Sequence, residues 1–349
     1  MIKDKIKQIS EDIKRLSEKK ICLMEVCGTH TMSIARHGIR SLLPSNIRII
    51  SGPGCPVCVT PCGEIEATIK LAKNDKFIIA TFGDLLKVPG KSGSLNDYKN
   101  VKIIYNPLES IKLAQENPLK QIILLGIGFE TTAPLIAGTI KTAKMMFLDN
   151  LSILCMHRIV PPAVNLIMDN DKSKNVDGLI LPGHVAAITG RKYFDFIKER
   201  KISGIICGFE AIEIMQTIYM LIRAIEGNKT VVENNYRSVV SEEGNLTAKL
   251  LTEDVFEISD SEWRGIGLIK ASGLKIREPY KKYDALLKFD IIVDSIPDPQ
   301  GCRCGDILMA KAVPNECKYF AKVCTPSNPI GPCMVSSEGT CAAFYKYGL

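Results

Sequence analysis

Tryptophan occurs once in these 349 residues, at Trp263, and histidine only four times. No apolar run approaches the roughly 18 residues that a membrane-spanning helix needs. The opening Met1-Ile-Lys-Asp-Lys5 has no signal-peptide pattern. Charge is not concentrated either: a net charge of +7 is spread along the chain, with no basic block beyond short groups such as Glu18-Lys19-Lys20. These absences argue against a membrane span, a secreted disulfide scaffold and a basic face for nucleic acid. The expected compartment is the cytoplasm. What remains, 46% hydrophobic and 24% charged residues, is ordinary for a well-cored chain of two or three domains.

Against that background cysteine is abundant, with thirteen residues. In a reducing compartment so many thiols point to metal or redox chemistry. The most organised stretch is Ser51-Gly-Pro-Gly-Cys-Pro-Val-Cys-Val-Thr-Pro61. An apolar run, Ile47–Ile50, leads into a Gly/Pro turn carrying Cys55 and Cys58, and Glu64–Lys70 reads as a helix. Two intervening residues let both thiols face one another, and free N–H groups at a helix start lower a thiol pKa. The pair suits a disulfide, a dithiol or half of a metal site.

The periodicity predicts the rest of the architecture. Ile2–Lys19 has apolar residues three and four apart, the pattern of an amphipathic helix. Eight short β-rich runs follow, at Ile21–Val26, Ile47–Ser51, Phe77–Thr81, Val101–Tyr105, Gln121–Gly126, Leu151–Met156, Gly178–Leu181 and Gly204–Cys207. Each ends in a loop before a helical segment. Alternation of this kind predicts an α/β fold with parallel sheets covered on both faces. Four units on each side of Pro118 predict two similar lobes facing a cleft: an N-terminal helix (1–20), lobe I (21–118), lobe II (119–230) and a C-terminal domain (231–349). The polar segment Asn234–Asn245 is expected to close over the cleft.

Unusual residues gather at the carboxyl ends of the runs, where open α/β sheets bind ligands. There lie Cys27-Gly-Thr-His-Thr31, Gly83-Asp84, Gly128-Phe-Glu-Thr-Thr132, His157-Arg158, Pro182-Gly-His-Val185 and Gly208-Phe-Glu210. Cys27 and His30 share one loop, so they can bind iron together, or the imidazole can help deprotonate the thiol. Thr29, Glu130, Thr131, His184 and Glu210 are candidate cleft residues. Cys22, Cys155 and Cys207 lie in apolar runs and read as core; Cys62 has no assigned role.

The last sixty residues hold Cys302, Cys304, Cys317, Cys324, Cys333 and Cys341 among many Gly and Pro. A tail so poor in apolar periodicity needs a staple. Cys304, Cys317, Cys324 and Cys341, as C-x12-C-x6-C-x16-C, suit an iron–sulfur cube. Four-cysteine zinc is the competing reading, and Cys302 and Cys333 remain as substitutes.

Taken together these motifs resemble the HypD family of hydrogenase-maturation proteins. The matching elements are Cys27-Gly-Thr-His-Thr31, Gly52-Pro-Gly-Cys-Pro-Val-Cys58, Gly128-Phe-Glu-Thr-Thr132, Pro182-Gly-His-Val185, Asn234–Asn245, and Cys324-Thr-Pro through Ser336-Ser-Glu-Gly-Thr-Cys341. The chain departs at Ala211 and Glu213, where the family has Pro and Asp. The resemblance implies two α/β lobes and a C-terminal domain with a [4Fe–4S] cluster. It also implies a redox-active scaffold, working with a small HypC-type chaperone on the Fe(CN)2(CO) unit of [NiFe] hydrogenase. A HypE-type protein is the implied cyanide donor. Cys27 would then be the iron-binding thiolate, His30 its neighbour, and Cys55/Cys58 a redox pair relaying electrons from the cluster. Two other classes remain open: a thiol–disulfide oxidoreductase acting through Cys55 and Cys58 alone, and a zinc-stapled interaction protein.

Overall fold

Strands form where short aliphatic runs are covered on both faces. In the computed structural model, which describes residues 2–169 and 176–348, the strands are β1 (Ile21–Glu25), β2 (Ile47–Ser51), β3 (Phe77–Thr81), β4 (Val101–Ile103), β5 (Gln121–Gly128), β6 (Leu151–His157), β7 (Gly178–Pro182), β8 (Ser203–Cys207), β9 (Val232–Asn234), β10 (Phe256–Trp263) and β11 (Gly267–Ile276). Every residue of β1, β7 and β8 is buried, as continuous rather than alternating apolar runs require. All eight expected strands are present, two with the expected ends and the others within two residues of them.

Two parallel sheets result. The larger runs β2-β1-β7-β8-β9 and the smaller β4-β3-β5-β6. Counted within each sheet, both follow the order 2-1-3-4, with a fifth strand added to the larger, so the two lobes are wound alike. The chain does not divide near Pro118, however. It lays down β1 and β2, builds the whole smaller sheet from β3 to β6, and returns to finish the larger one. Hydrophobic period identifies a strand but not its neighbour, and here β1 takes β7, pairing Met24 with Leu179.

The expected C-terminal domain is also smaller than 231–349. β9 closes the larger sheet beside β8. The helix Leu246–Val255 packs on the helix Ala133–Met145, and the β10–β11 hairpin covers β6. Val255, Phe256, Ile276, Tyr280 and Tyr283 complete the core of the smaller sheet. The cysteine-bearing remainder, from about 290, lies across both lobes with two short helices, Cys304–Leu308 and Thr340–Tyr347, and little other regular structure.

The amphipathic N-terminal helix, Ile2–Leu16, packs its apolar stripe on the helix Ala211–Glu226, with Ile13 fully buried. Asn234–Asn245 does not close over a cleft. It lies along the turn after the helix Gly183–Thr189, where Gly190 and Gly244 meet backbone to backbone; a Cβ on Gly244, at φ +72°, would stand 2.4 Å from Gly190 N. Among the described residues no helix is long and apolar enough to cross a membrane.

Candidate functional site

In a doubly wound sheet the connections leave in opposite directions on either side of a switch point, opening a crevice at the strand ends. That point lies between β1 and β7 in the larger sheet and between β3 and β5 in the smaller. The loops after these four strands face one another around a cavity of about 420 Å³. Cys27 and Thr29 follow β1, and His184 and Val185 follow β7. Phe82 and Asp84 follow β3, and Phe129, Thr131 and Thr132 follow β5. Ser336 and Glu338 from the C-terminal segment complete the wall.

Cys27 is the N-cap of the helix Gly28–Arg36, with extended backbone at φ −151° and ψ 122°. Beneath it Glu25 is fully buried and accepts the Cys27 N–H at 3.0 Å and the Thr31 hydroxyl. Burial pushes the Glu25 carboxyl up to about 7. It pushes the Cys27 thiol up to about 12, and the negative charge of Glu338 adds to this; the N–H groups of His30 and Thr29 act in the opposite sense. The Cys27 turn rests on the Gly/Pro loop, where Gly28 N donates to Gly54 O at 2.9 Å. A Cβ on Gly54 would lie 2.3 Å from Cys27 N, so only glycine fits.

The expected partnership of His30 with Cys27 is corrected. Its imidazole is fully buried and turned toward the end of β8, with Nε2 at 2.9 Å from Gly208 O and 3.2 Å from Cys207 O. It stacks on Phe209, which stacks in turn on His184 at 3.9 Å between ring centroids. Burial holds His30 near 4, so the ring is neutral and structural. It reaches the Cys27 thiol through its backbone N–H alone.

Of the other expected cleft residues, Thr29, Thr131 and His184 line the cavity. Glu130 turns away from it and bridges the lobes: Oε1 accepts the Val160 N–H and the Tyr193 hydroxyl, each at 2.8 Å. Glu210 is an exposed N-cap, sharing a capping box with Glu213 at the start of its helix. A Glu at 213 therefore serves as a helix cap here.

Two further wall residues are Asp84, expected at a strand end, and Glu338, which the sequence offered only within the C-terminal motif. Asp84 Oδ2 accepts the hydroxyls of Ser336 (2.9 Å) and Ser337 (3.0 Å). Glu338 Oε1 accepts the Thr29 hydroxyl at 2.6 Å. The Ser336–Glu338 loop thus clips one lobe to the other beside Cys27. Thr29 and Glu338 lie 309 positions apart, so no local pattern signals the contact; the Ser-Ser-Glu-Gly-Thr motif is the one available hint. Glu338→Gln, whose amide oxygen still accepts from Thr29, is expected to lower the Cys27 pKa. The rate of Cys27 alkylation by iodoacetamide against pH checks this, and an unmoved profile refutes it.

Cys55 and Cys58 form a disulfide with Cα atoms 5.2 Å apart, on a helical turn, Pro56–Val59. Pro56 and Val57 face the cavity while the sulfurs lie behind, 3% and 0% exposed by residue. The helix Cys304–Leu308 and the turn Pro332–Met334 pack on this same turn. They carry a second disulfide, Cys304–Cys333.

All six C-terminal cysteines line one small cavity. Because Cys304 is bonded to Cys333, the free thiols there are Cys302, Cys317, Cys324 and Cys341. The free set therefore has Cys302 in the place the sequence reading gave to Cys304, while both line the cavity. The donors fit an iron–sulfur centre in their chemistry. Burial pushes Cys302 up to about 11, and the nearby Cys317 and Cys324 thiols raise it further. Burial, then Cys302, Cys324 and Cys317, raise Cys341 likewise. Thiols that oppose one another's ionisation ionise together around a cationic centre. The Ile330 N–H, 3.4 Å from Cys324 Sγ, is a donor of the kind that tunes cluster sulfur. Among the described residues no group of three or more His, Cys, Asp or Glu is arranged to hold a single metal ion.

Comparison with known proteins bears on the same constellation. A family model named HypD, described as "Hydrogenase formation hypA family", matches residues 2–348. Hydrogenase maturation factor HypD2 of Bradyrhizobium diazoefficiens is 42% identical over 337 residues, covering 93% of this chain and 89% of the relative. Hydrogenase maturation factor HypD of Cupriavidus necator is also 42% identical, with the same coverage of each chain, 93% and 89%. That of Escherichia coli is 39% identical over 95% of this chain and 90% of its own length. With one family matched across nearly the whole length, this chain belongs to the HypD family of hydrogenase maturation factors.

Proposed function

We propose that the chain is a redox-active scaffold on which the Fe(CN)2(CO) unit of [NiFe] hydrogenase is assembled, with a HypC-type chaperone as companion and a HypE-type protein as cyanide donor. One observation carries the reading: among the described residues Cys27 is the one thiol on the wall of a cavity built from the switch points of both sheets. Low-spin iron with cyanide and carbonyl ligands favours a soft thiolate donor. Cys27 is held as a neutral thiol by burial and must lose its proton when iron binds. Glu338, on the same wall and raised by its own burial, is placed to accept it. The apolar wall of Val57, Phe82, Ile127 and Phe129 limits water around the cargo.

Cys302, Cys317, Cys324 and Cys341 would hold a [4Fe–4S] cluster, which supplies single electrons when bound. Cys304–Cys333 and Cys55–Cys58 lie on elements in direct contact, leading from that centre toward the cavity. Each disulfide takes up two electrons and two protons on opening. Thiol trapping across a range of potentials is expected to show a two-electron couple for Cys55 and Cys58 that disappears in Cys58→Ser. Thiols that stay alkylatable at every potential would remove the relay.

The direct test of the scaffold is an infrared spectrum of the chain purified anaerobically with its chaperone. Cyanide and carbonyl stretching bands are expected. Their absence from a preparation made with all partner proteins present would overturn the reading and leave the dithiol oxidoreductase in its place.

A further inference from the structure

Cys62, and the arginine at the tip of the β10–β11 hairpin, have no part in the function above. Arg264 is 3% exposed and joins three segments. Its N–H donates to Val59 O and its Nε to Thr60 O, both at 2.8 Å. These carbonyls end the helical turn that carries Cys55 and Cys58. Nη1 lies 2.8 Å from Cys62 Sγ and donates to Asp298 Oδ1 at 2.7 Å. Nη2 is buried and has no hydrogen-bond partner among the described residues. Behind the guanidinium the hairpin tip is pressed on the cysteine-rich segment: a Cβ on Gly265, at φ +70°, would stand 2.1 Å from Gly305 Cα. Asp298 leads by four residues to Cys302.

A buried guanidinium with one nitrogen unpaired is a costly hairpin tip, and an apolar side chain would pack there without that cost. The charge therefore calls for a role that packing does not supply. Its position beside the carbonyl end of the Cys55–Cys58 turn provides one, because a fixed positive charge stabilises thiolate relative to disulfide. We propose that Arg264 is the positioning residue of the Cys55–Cys58 couple: it fixes the end of that turn, biases the pair toward the reduced form, and is held in register by Asp298 and Cys62.

This inference rests on the reading of Cys55 and Cys58 as a redox couple, and its test separates the two. The full-length protein, purified anaerobically, is equilibrated in glutathione buffers of varied ratio. The reaction is disulfide plus two glutathione thiols giving two protein thiols plus glutathione disulfide. Differential alkylation and mass spectrometry of the Cys55–Cys58 peptide read the equilibrium constant. Arg264→Gln is expected to lower it about tenfold, equivalent to about 30 mV for a two-electron couple. Arg264→Lys, which keeps the charge but not the fork of donors, is expected to fall between. Asp298→Asn leaves the guanidinium without its counter-charge and is expected to move the constant the opposite way. A purely structural role would move Arg264→Gln and Asp298→Asn together. That outcome, or a constant within twofold of wild type in Arg264→Gln, overturns the proposal. If Arg264→Gln does not fold, the opposite shift in Asp298→Asn decides alone. Absence of any two-electron couple in the wild-type chain would instead overturn the redox reading of the pair.

Discussion

Cys27→Ala is expected to abolish the infrared bands of cyanide and carbonyl while leaving the visible absorption of the C-terminal centre intact. The cavity offers iron no second thiolate among the described residues, because Cys55 and Cys58 are bonded to each other behind Pro56 and Val57. A ligand that must hold iron while neighbouring sulfurs change redox state cannot itself be spent in a disulfide. His30 is no substitute, since its ring is committed to the carbonyls of Cys207 and Gly208 and to the face of Phe209. Cys55→Ala is expected to lower the band intensity without removing it, because assembly stalls for want of electrons while bound iron persists. His30→Ala removes a buried partner of two carbonyls and is expected to cost on the order of 1–3 kcal/mol of stability, with the bands retained. Undiminished bands in Cys27→Ala would move the iron site elsewhere, with the Cys55/Cys58 pair the next place to look.

The distinction between Cys27 and His30 shows where sequence reasoning stops. Strand-to-loop transitions are visible as apolar runs ending in Gly and Pro, and these located Cys27, His184 and Thr131 at the cavity. Side-chain direction is not visible in the same way. Cys27 leaves the strand in extended backbone and projects into the cavity, whereas His30 already belongs to the helix and projects toward β8. The loop after β5 behaves similarly: Phe129 and Thr131 face the cavity and Glu130, between them, does not. Pairing between strands is harder still. Nothing local distinguishes a partner at β3 from one at β7, so the nested order of the two sheets emerges only from the folded chain. The clip made by Asp84, Ser336 and Glu338 is long-range in the same sense.

The iron content of Cys302→Ala against Cys304→Ala is expected to separate the two candidate ligand sets outright. The cysteines stand two residues apart, so a spacing argument accepts either: C-x12-C-x6-C-x16-C from Cys304, or C-x14-C-x6-C-x16-C from Cys302. Their surroundings differ. Cys304 opens the helix Cys304–Leu308 and is bonded to Cys333 across 6.3 Å between Cα atoms. Cys302 lies in the preceding loop, where burial, and then Cys317 and Cys324, raise its thiol. Anaerobic wild-type protein is expected to be brown, with about four iron and four sulfide per chain. Cys302→Ala should lose both and loosen the tail, detected as faster proteolysis beyond residue 290, because centre formation and local folding are coupled. Cys304→Ala should keep its iron and colour and lose only the disulfide. Bleaching in Cys304→Ala with iron retained in Cys302→Ala would restore the first spacing, and stoichiometric zinc in wild-type protein would remove the cluster altogether. The disulfide adds a second reason to expect this order. Cys304–Cys333 sits on the elements that touch the Cys55–Cys58 turn, so a Cys304 thiolate engaged with iron would leave Cys333 without its partner at that contact.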